Sequence, residues 1–275
     1  MNPKAQSDGP DVALAIAERF AALAPVTAVT LAGSRTADTT DASSDYDLYV
    51  YTTMEIVPEV RRELALAFAD RLEIDNRFWE PGDEWQDSTT GLHVDIMYRS
   101  PEWIEAQLTR VLEQHEASVG YSTCFWYNVR VSRILFDREG WFRNLQARVD
   151  VFYPEGLRRA IVAKNWPILR DTHSSYVYQL RSAVARNDRV SINHRIAALL
   201  ASYFDILCAV NRLPHPGEKR LVQYVQRYCA KLPEEMSVQL DAVLTAAGGD
   251  GGAVLASVHA LLDGLEALLR REDLV

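Results

Sequence analysis

Apolar positions in residues 11–23, "DVALAIAERFAAL", recur at helical spacing behind an acidic residue, which predicts a helix that Pro25 ends. "VTAVTLAG" (26–33) is rich in β-branched residues and reads as a strand, as does "DLYVYTT" (47–53). Residues 55–70 predict a helix with Ile56, Val60, Leu64 and Ala67 on one face. "RLEIDNRFWE" (71–80) predicts a third strand, the Pro-Gly pair at 81–82 a turn, and "LHVDIMYR" (92–99) a fourth strand. A helix starts at Pro101, a favoured first helical residue. "VSRILFD" (131–137) fits a last strand or a short helix.

Beyond Pro154 the period becomes helical throughout. Residues 155–187, 190–212, 217–230, 234–246 and 253–271 all fit helices, with "AAGGDGGA" (246–253) as a joint before the last. That last helix aligns Val254, Val258, Leu261, Leu262, Leu265, Leu268 and Leu269 on one stripe, as core packing requires. The predicted class is α+β: a mixed-sheet domain over 1–137 and a helical bundle over 138–275.

Composition narrows the function. The 275 residues suffice for a sizeable core, and the formal net charge of −9 argues against broad electrostatic binding of DNA or RNA. The same charge favours cationic small-molecule partners. The first residues, "MNPKAQSDGPD", lack an apolar signal-peptide core, and "IAALLASYFDILCAV" (196–210) is too short and too interrupted, by Asp205, to span a membrane. Cys124, Cys208 and Cys229 show no metal-type spacing, so reduced thiols and a cytoplasmic location are expected.

The chemistry gathers around "LAGSRTADTTDASSDYDLYV" (31–50). Asp45 and Asp47 stand two apart where a strand begins, so they share a face if the strand starts there. Adjacent carboxylates repel unless a cation lies between them, and a hard divalent ion such as magnesium prefers such oxygen ligands together with substrate phosphates. Gly33 permits close backbone approach to a ligand, and the Ser34 hydroxyl with neighbouring N–H groups suits phosphate oxygens. Asp95 lies in mid-strand between Val94 and Ile96, a costly place for an acid without a partner. Three carboxylates are enough to hold two metal ions about 3.5–4 Å apart for in-line phosphoryl displacement. The plainer reading is that Asp45 and Asp47 cap a loop, which leaves Asp95 unexplained.

"GS", ten residues, "DYD" and a later "HVDIMY" strand resemble the nucleotidyltransferase superfamily that includes DNA polymerase beta, over residues 26–99. The layout is similar to that of the small bacterial aminoglycoside and lincosamide nucleotidyltransferases, and "NRLPHPGEKRL" (211–221) looks like a segment of uncharacterised bacterial members. The resemblance implies Gly33 and Ser34 on the nucleotide phosphates, Asp45 and Asp47 as magnesium ligands, and Asp95 as third ligand or as base. It implies transfer of a nucleoside monophosphate, with ATP the expected donor among the triphosphates, onto a hydroxyl of an antibiotic-like acceptor, with release of pyrophosphate. A tRNA or protein acceptor, with the arginines of 155–170 as a basic groove, and a non-catalytic nucleotide-binding module remain the alternatives.

Lesser candidates surround this centre. Arg35 is a fork for phosphate, or else a surface partner of Asp38 or Asp41. Lys219, beside Arg220, is a triphosphate contact by the resemblance, or else a solvated lysine. Trp79, Trp85, Glu80 and Asp83 of "FWEPGDEW" (78–85) are candidates for stacking on a ligand or binding an acceptor amine. "YSTCFWYN" (121–128) is a ligand wall or a buried helix. His93 shares a face with Asp95.

Overall fold

The computed structural model describes residues 12–36, 45–78, 80–249 and 252–275. It is α+β, and its chain divides into two units: one holds residues up to Leu108 together with Asn128–Val151, the other Thr109–Tyr127 together with Phe152–Val275. The sequence reading placed a single cut at 137/138. The contacts instead put 138–151 with the sheet and 109–127 with the helical unit, so the chain passes between units within two helices, Pro101–Leu112 and Cys124–Val131.

The first unit is built on six strands: β1 (Val26–Ala32), β2 (Tyr46–Thr52), β3 (Leu72–Asn76), β4 (Gly82–Gln86), β5 (His93–Arg99) and β6 (Arg133–Asp137). Their order is β3-β4-β5-β2-β1-β6, with β2 and β5 parallel and every other neighbour antiparallel. Helices α1 (Val12–Ala21) and α2 (Pro58–Ala65) cover one face. There Ile16, Phe20, Leu64 and Ala65 pack on Leu31, Leu48, Val50, Val94 and Ile96. The opposite face is covered in part by α5 (Trp141–Val149): the Tyr51 ring lies 5.2 Å from those of Trp141 and Phe142. Cover on both sides explains the nearly unbroken apolar runs of β1 and β2.

Three expectations are corrected here. The Pro-Gly pair does not mark a turn alone, because Gly82 opens a strand, β4, that fills the gap between β3 and β5. A side chain at Gly82 would run into the Ile96 carbonyl. The face predicted for α2 ends early: the helix stops at Ala65, Ala67 is exposed, and Arg61 is buried instead. The long helix predicted over 155–187 is two, α6 (Glu155–Arg170) and α7 (Tyr176–Ala185). The polar run between them supplies Ser175, whose hydroxyl accepts from the Tyr178 N–H and caps α7.

The second unit also contains α8 (Arg189–Val210), α9 (Leu221–Tyr228), α10 (Met236–Gly248) and α11 (Val254–Arg271). The α11 stripe read from sequence is buried along its whole length against α7 and α10, in a core to which α8 also contributes. Helices α3 (Pro101–Leu112) and α4 (Cys124–Val131) are divided between the two units. Among the described residues no helix is long and apolar enough to cross a membrane.

Candidate functional site

In-register pairing sets Asp47 of β2 opposite Asp95 of β5, and Glu84 of β4 opposite Asp95 from the other side. Paired residues of neighbouring strands point to the same face, so Glu84, Asp95 and Asp47 form a row across three strands, about 4.8 Å from one strand to the next. Tyr46, Leu48, Val94, Ile96 and Trp85 point the other way, into the α1–α2 core. The row therefore occupies the face that those two helices do not cover.

At the end of the row Ala32 pairs with Asp47, and the chain then enters a single 3₁₀ turn, Gly33–Thr36. Gly33 has φ +64°, and a Cβ there would overlap the Asp47 carboxylate. Both the left-handed backbone and the packing of Asp47 on its Cα favour glycine. Ser34 lies in this turn and is described by its backbone alone. The Arg35 guanidinium stacks 3.9 Å from the Tyr46 ring, and its Nε donates to the Asp45 carbonyl at 3.2 Å. Arg35 thus fastens the turn to the start of β2. Asp38 and Asp41, its alternative partners, lie outside the described residues. Asp45 is exposed and precedes β2, so its carboxylate is outside the paired row.

Among the described residues no three His, Cys, Asp or Glu side chains converge as a metal cage. Asp47 packs on Gly33, and Glu84 accepts from Asn76 Nδ2 at 2.6 Å and faces His93 Nε2 at 3.3 Å. Two neighbouring carboxylates, Asp47 and Asp95, still meet the needs of magnesium, which is commonly held by one or two carboxylates plus phosphate oxygens and water.

Several lesser candidates have structural duties. Asp83 is buried, accepting from Tyr98 Oη at 2.6 Å and the Asp75 N–H at 2.9 Å, and pairing with Arg61 at 3.2 Å. Its neighbourhood pushes the Tyr98 hydroxyl well up, through burial first and the Asp83 charge second. Glu80 binds Arg99 through two hydrogen bonds of 2.7 and 2.8 Å. Trp85 is core, stacked on Phe68, and Trp79 lies outside the described residues. His93 pairs with Glu84 rather than Asp95. Lys219 is exposed in the turn before α9, within the helical unit.

Of the 121–128 stretch, Cys124–Asn128 open α4, and Trp126 is buried against Tyr153. The arginines of α6 do not form a basic groove. Arg158 is buried on Glu155 and Glu272, Arg159 pairs with Glu155, and Arg170 pairs with Asp263 and Glu266.

Sequence reading missed Glu84. Its place beside Asp95 follows from strand pairing, and the only local signal was alternation within "DEWQ", where Asp83 and Trp85 face inward.

A family model described as a domain of unknown function (DUF4037) matches residues 127–221. No curated protein matches the chain. Among solved structures the chain is similar to a nucleotidyltransferase-like protein from Exiguobacterium sibiricum 255-15, at 15% identity and a TM-score of 0.45, over 96% of this chain and 76% of that one.

Proposed function

We propose that the protein is a magnesium-dependent nucleotidyltransferase that moves a nucleoside monophosphate, AMP from ATP in the first instance, onto a hydroxyl of a small-molecule acceptor. One observation carries the reading: Asp47 and Asp95 stand side by side on parallel central strands, next to a turn in which a Cβ at Gly33 would displace the Asp47 carboxylate. Asp47 and Asp95 would hold the magnesium ion, with Asp45 at the head of β2 as a further oxygen donor. When bound, the ion would neutralise the triphosphate charge and acidify the acceptor hydroxyl. The Gly33–Thr36 backbone would meet the phosphates. A new O–P bond forms at the α-phosphorus as the bond to the bridging oxygen breaks. Pyrophosphate leaves, and a carboxylate of the row takes the hydroxyl proton.

The acceptor class follows from charge. The net charge of −9 and the ion-paired arginines of α6 favour a cationic small molecule, such as an aminoglycoside or a lincosamide, over tRNA. Arg35 is assigned to the triphosphate.

Calorimetry tests the donor half: ATP binds only with magnesium, and Asp47→Asn or Asp95→Asn removes that dependence. A panel of labelled triphosphates and acceptors tests the transfer. Equal ATP binding by wild type and both variants would falsify the proposal.

A further inference from the structure

The helical unit contains a second feature, unrelated to the carboxylate row. A cavity of about 430 Å³ opens among α8, α9 and α10. Its walls are apolar, with Ala197, Ala201, Phe204, Leu221 and Leu244 among them, and exposed Glu218 and Arg220 contribute polar groups. Ala197 and Ala201 are one helical turn apart on α8, and their short side chains leave the space open. Pockets of about 300–1,000 Å³ with apolar walls and a few polar groups are typical of small-molecule sites.

One wall is held in an unfavourable conformation. Tyr121 has φ +56°, the left-handed region that a residue with a bulky side chain rarely occupies. The residues on either side are fixed by buried polar groups from two helices. The Gly120 N–H donates to Asn165 Oδ1 of α6 at 2.9 Å, and the Ser122 N–H donates to Asp205 Oδ1 of α8 at 3.1 Å. Asn165 and Asp205 are both buried. His215, also buried, sets its ring edge-to-face against Tyr121 at 5.1 Å. A core assembled only for stability has little use for an amide and a carboxylate buried to hold a strained residue at a cavity wall. Strain of this sort concentrates at ligand sites.

We infer that this cavity is a binding site for a largely apolar small molecule with one hydrogen-bonding end, which lies against the Tyr121 ring and turns its polar end toward Glu218 and Arg220. The site is independent of the transferase reading.

The probe is Nile red, an uncharged dye whose emission shifts in apolar surroundings, titrated into the full chain. Expected is saturable one-to-one binding, weakened at least tenfold by Ala197→Trp, which fills the cavity from an exposed position, and about threefold or more by Tyr121→Gly, which removes the ring and relieves the backbone. Melting temperature and near-ultraviolet circular dichroism verify that each variant is folded. The inference is overturned by absence of saturable binding, or by unchanged binding in folded Ala197→Trp. It is equally overturned if light scattering finds a dimer that Ala197→Trp dissolves, since a second copy would then be the occupant.

Discussion

Gly33 meets two demands at once: a left-handed backbone, and bare space for the Asp47 carboxylate. Gly33→Ala is therefore expected to displace Asp47 and, under the proposed function, to weaken magnesium-dependent nucleotide binding at least tenfold, read by calorimetry, while the sheet keeps its circular dichroism. The glycine and both aspartates were legible as single letters, because each breaks the local apolar pattern. That Asp47 and Asp95 are neighbours was not legible, since two strands intervene in sequence and the pairing is set by tertiary packing. Asp205 and His215 show the same limit. In sequence Asp205 only interrupts an apolar run. In the fold burial lifts its carboxyl to about 7, against the two hydrogen bonds from Ser122, while burial lowers His215 to about 4. Asp205 binds more protons folded than unfolded between about pH 4 and 7, so its contribution to stability falls as pH rises through that window. His215 binds fewer protons folded between about pH 4 and 6.5, so its contribution rises over nearly the same window. The two slopes oppose each other, each at most about 1.4 kcal/mol per pH unit. Asp205→Asn should expose a stability that increases from pH 4 to 6.5, and His215→Asn one that decreases toward pH 7, measured by urea unfolding.

Strand β4 is the element that sequence reading passed over, because its inward positions alternate an acid with a tryptophan. Asp83 faces the core only because Arg61, on α2, and the Tyr98 hydroxyl meet it there. Periodicity assigns a buried Asp–Arg pair to the surface on both elements, which is why no strand is read beyond the Pro81–Gly82 turn and Arg61 is left off the buried face of α2, whereas Ile56, Val60 and Leu64 do pack on the core. The pair makes the element testable. Arg61→Met leaves a buried carboxylate without its cation and is expected to cost about 3–5 kcal/mol of stability. Adding Asp83→Asn should return most of it, and a double-mutant cycle in urea measures the coupling. Helix α5 was missed for another reason. Asp137 accepts from the Phe142 and Arg143 N–H groups of the helix's first turn, but it stands at the end of β6, in a stretch whose pattern fits a strand or a short helix and gives no sign of a following helix start. The bounds of α8 and α11 were read nearly to the residue, and on α11 the apolar stripe as well, since burial of one face for many turns is a local signal.

At the scale of the whole chain, the α+β class and the order of sheet first and bundle second were legible, and the boundary was not. A single cut at 137/138 would strip α5, with Phe142 and Leu145, from the sheet it covers. A fragment ending at 137 is expected to melt without a cooperative transition, whereas one ending at 151 retains one by circular dichroism. The distribution of sulfur supplies a last consequence. All three cysteines belong to the helical unit, and the sheet unit has none. Each is free, and burial holds each thiol protonated: Cys124 is pushed up to about 12, Cys229 to about 11, and Cys208 well above its ordinary value. A thiol kept in that state reacts only when its surroundings open. The rate at which an alkylating reagent consumes the two buried sulfurs, Cys208 and Cys229, in the native protein therefore clocks the breathing of the helical unit alone, with the sheet silent in the same record.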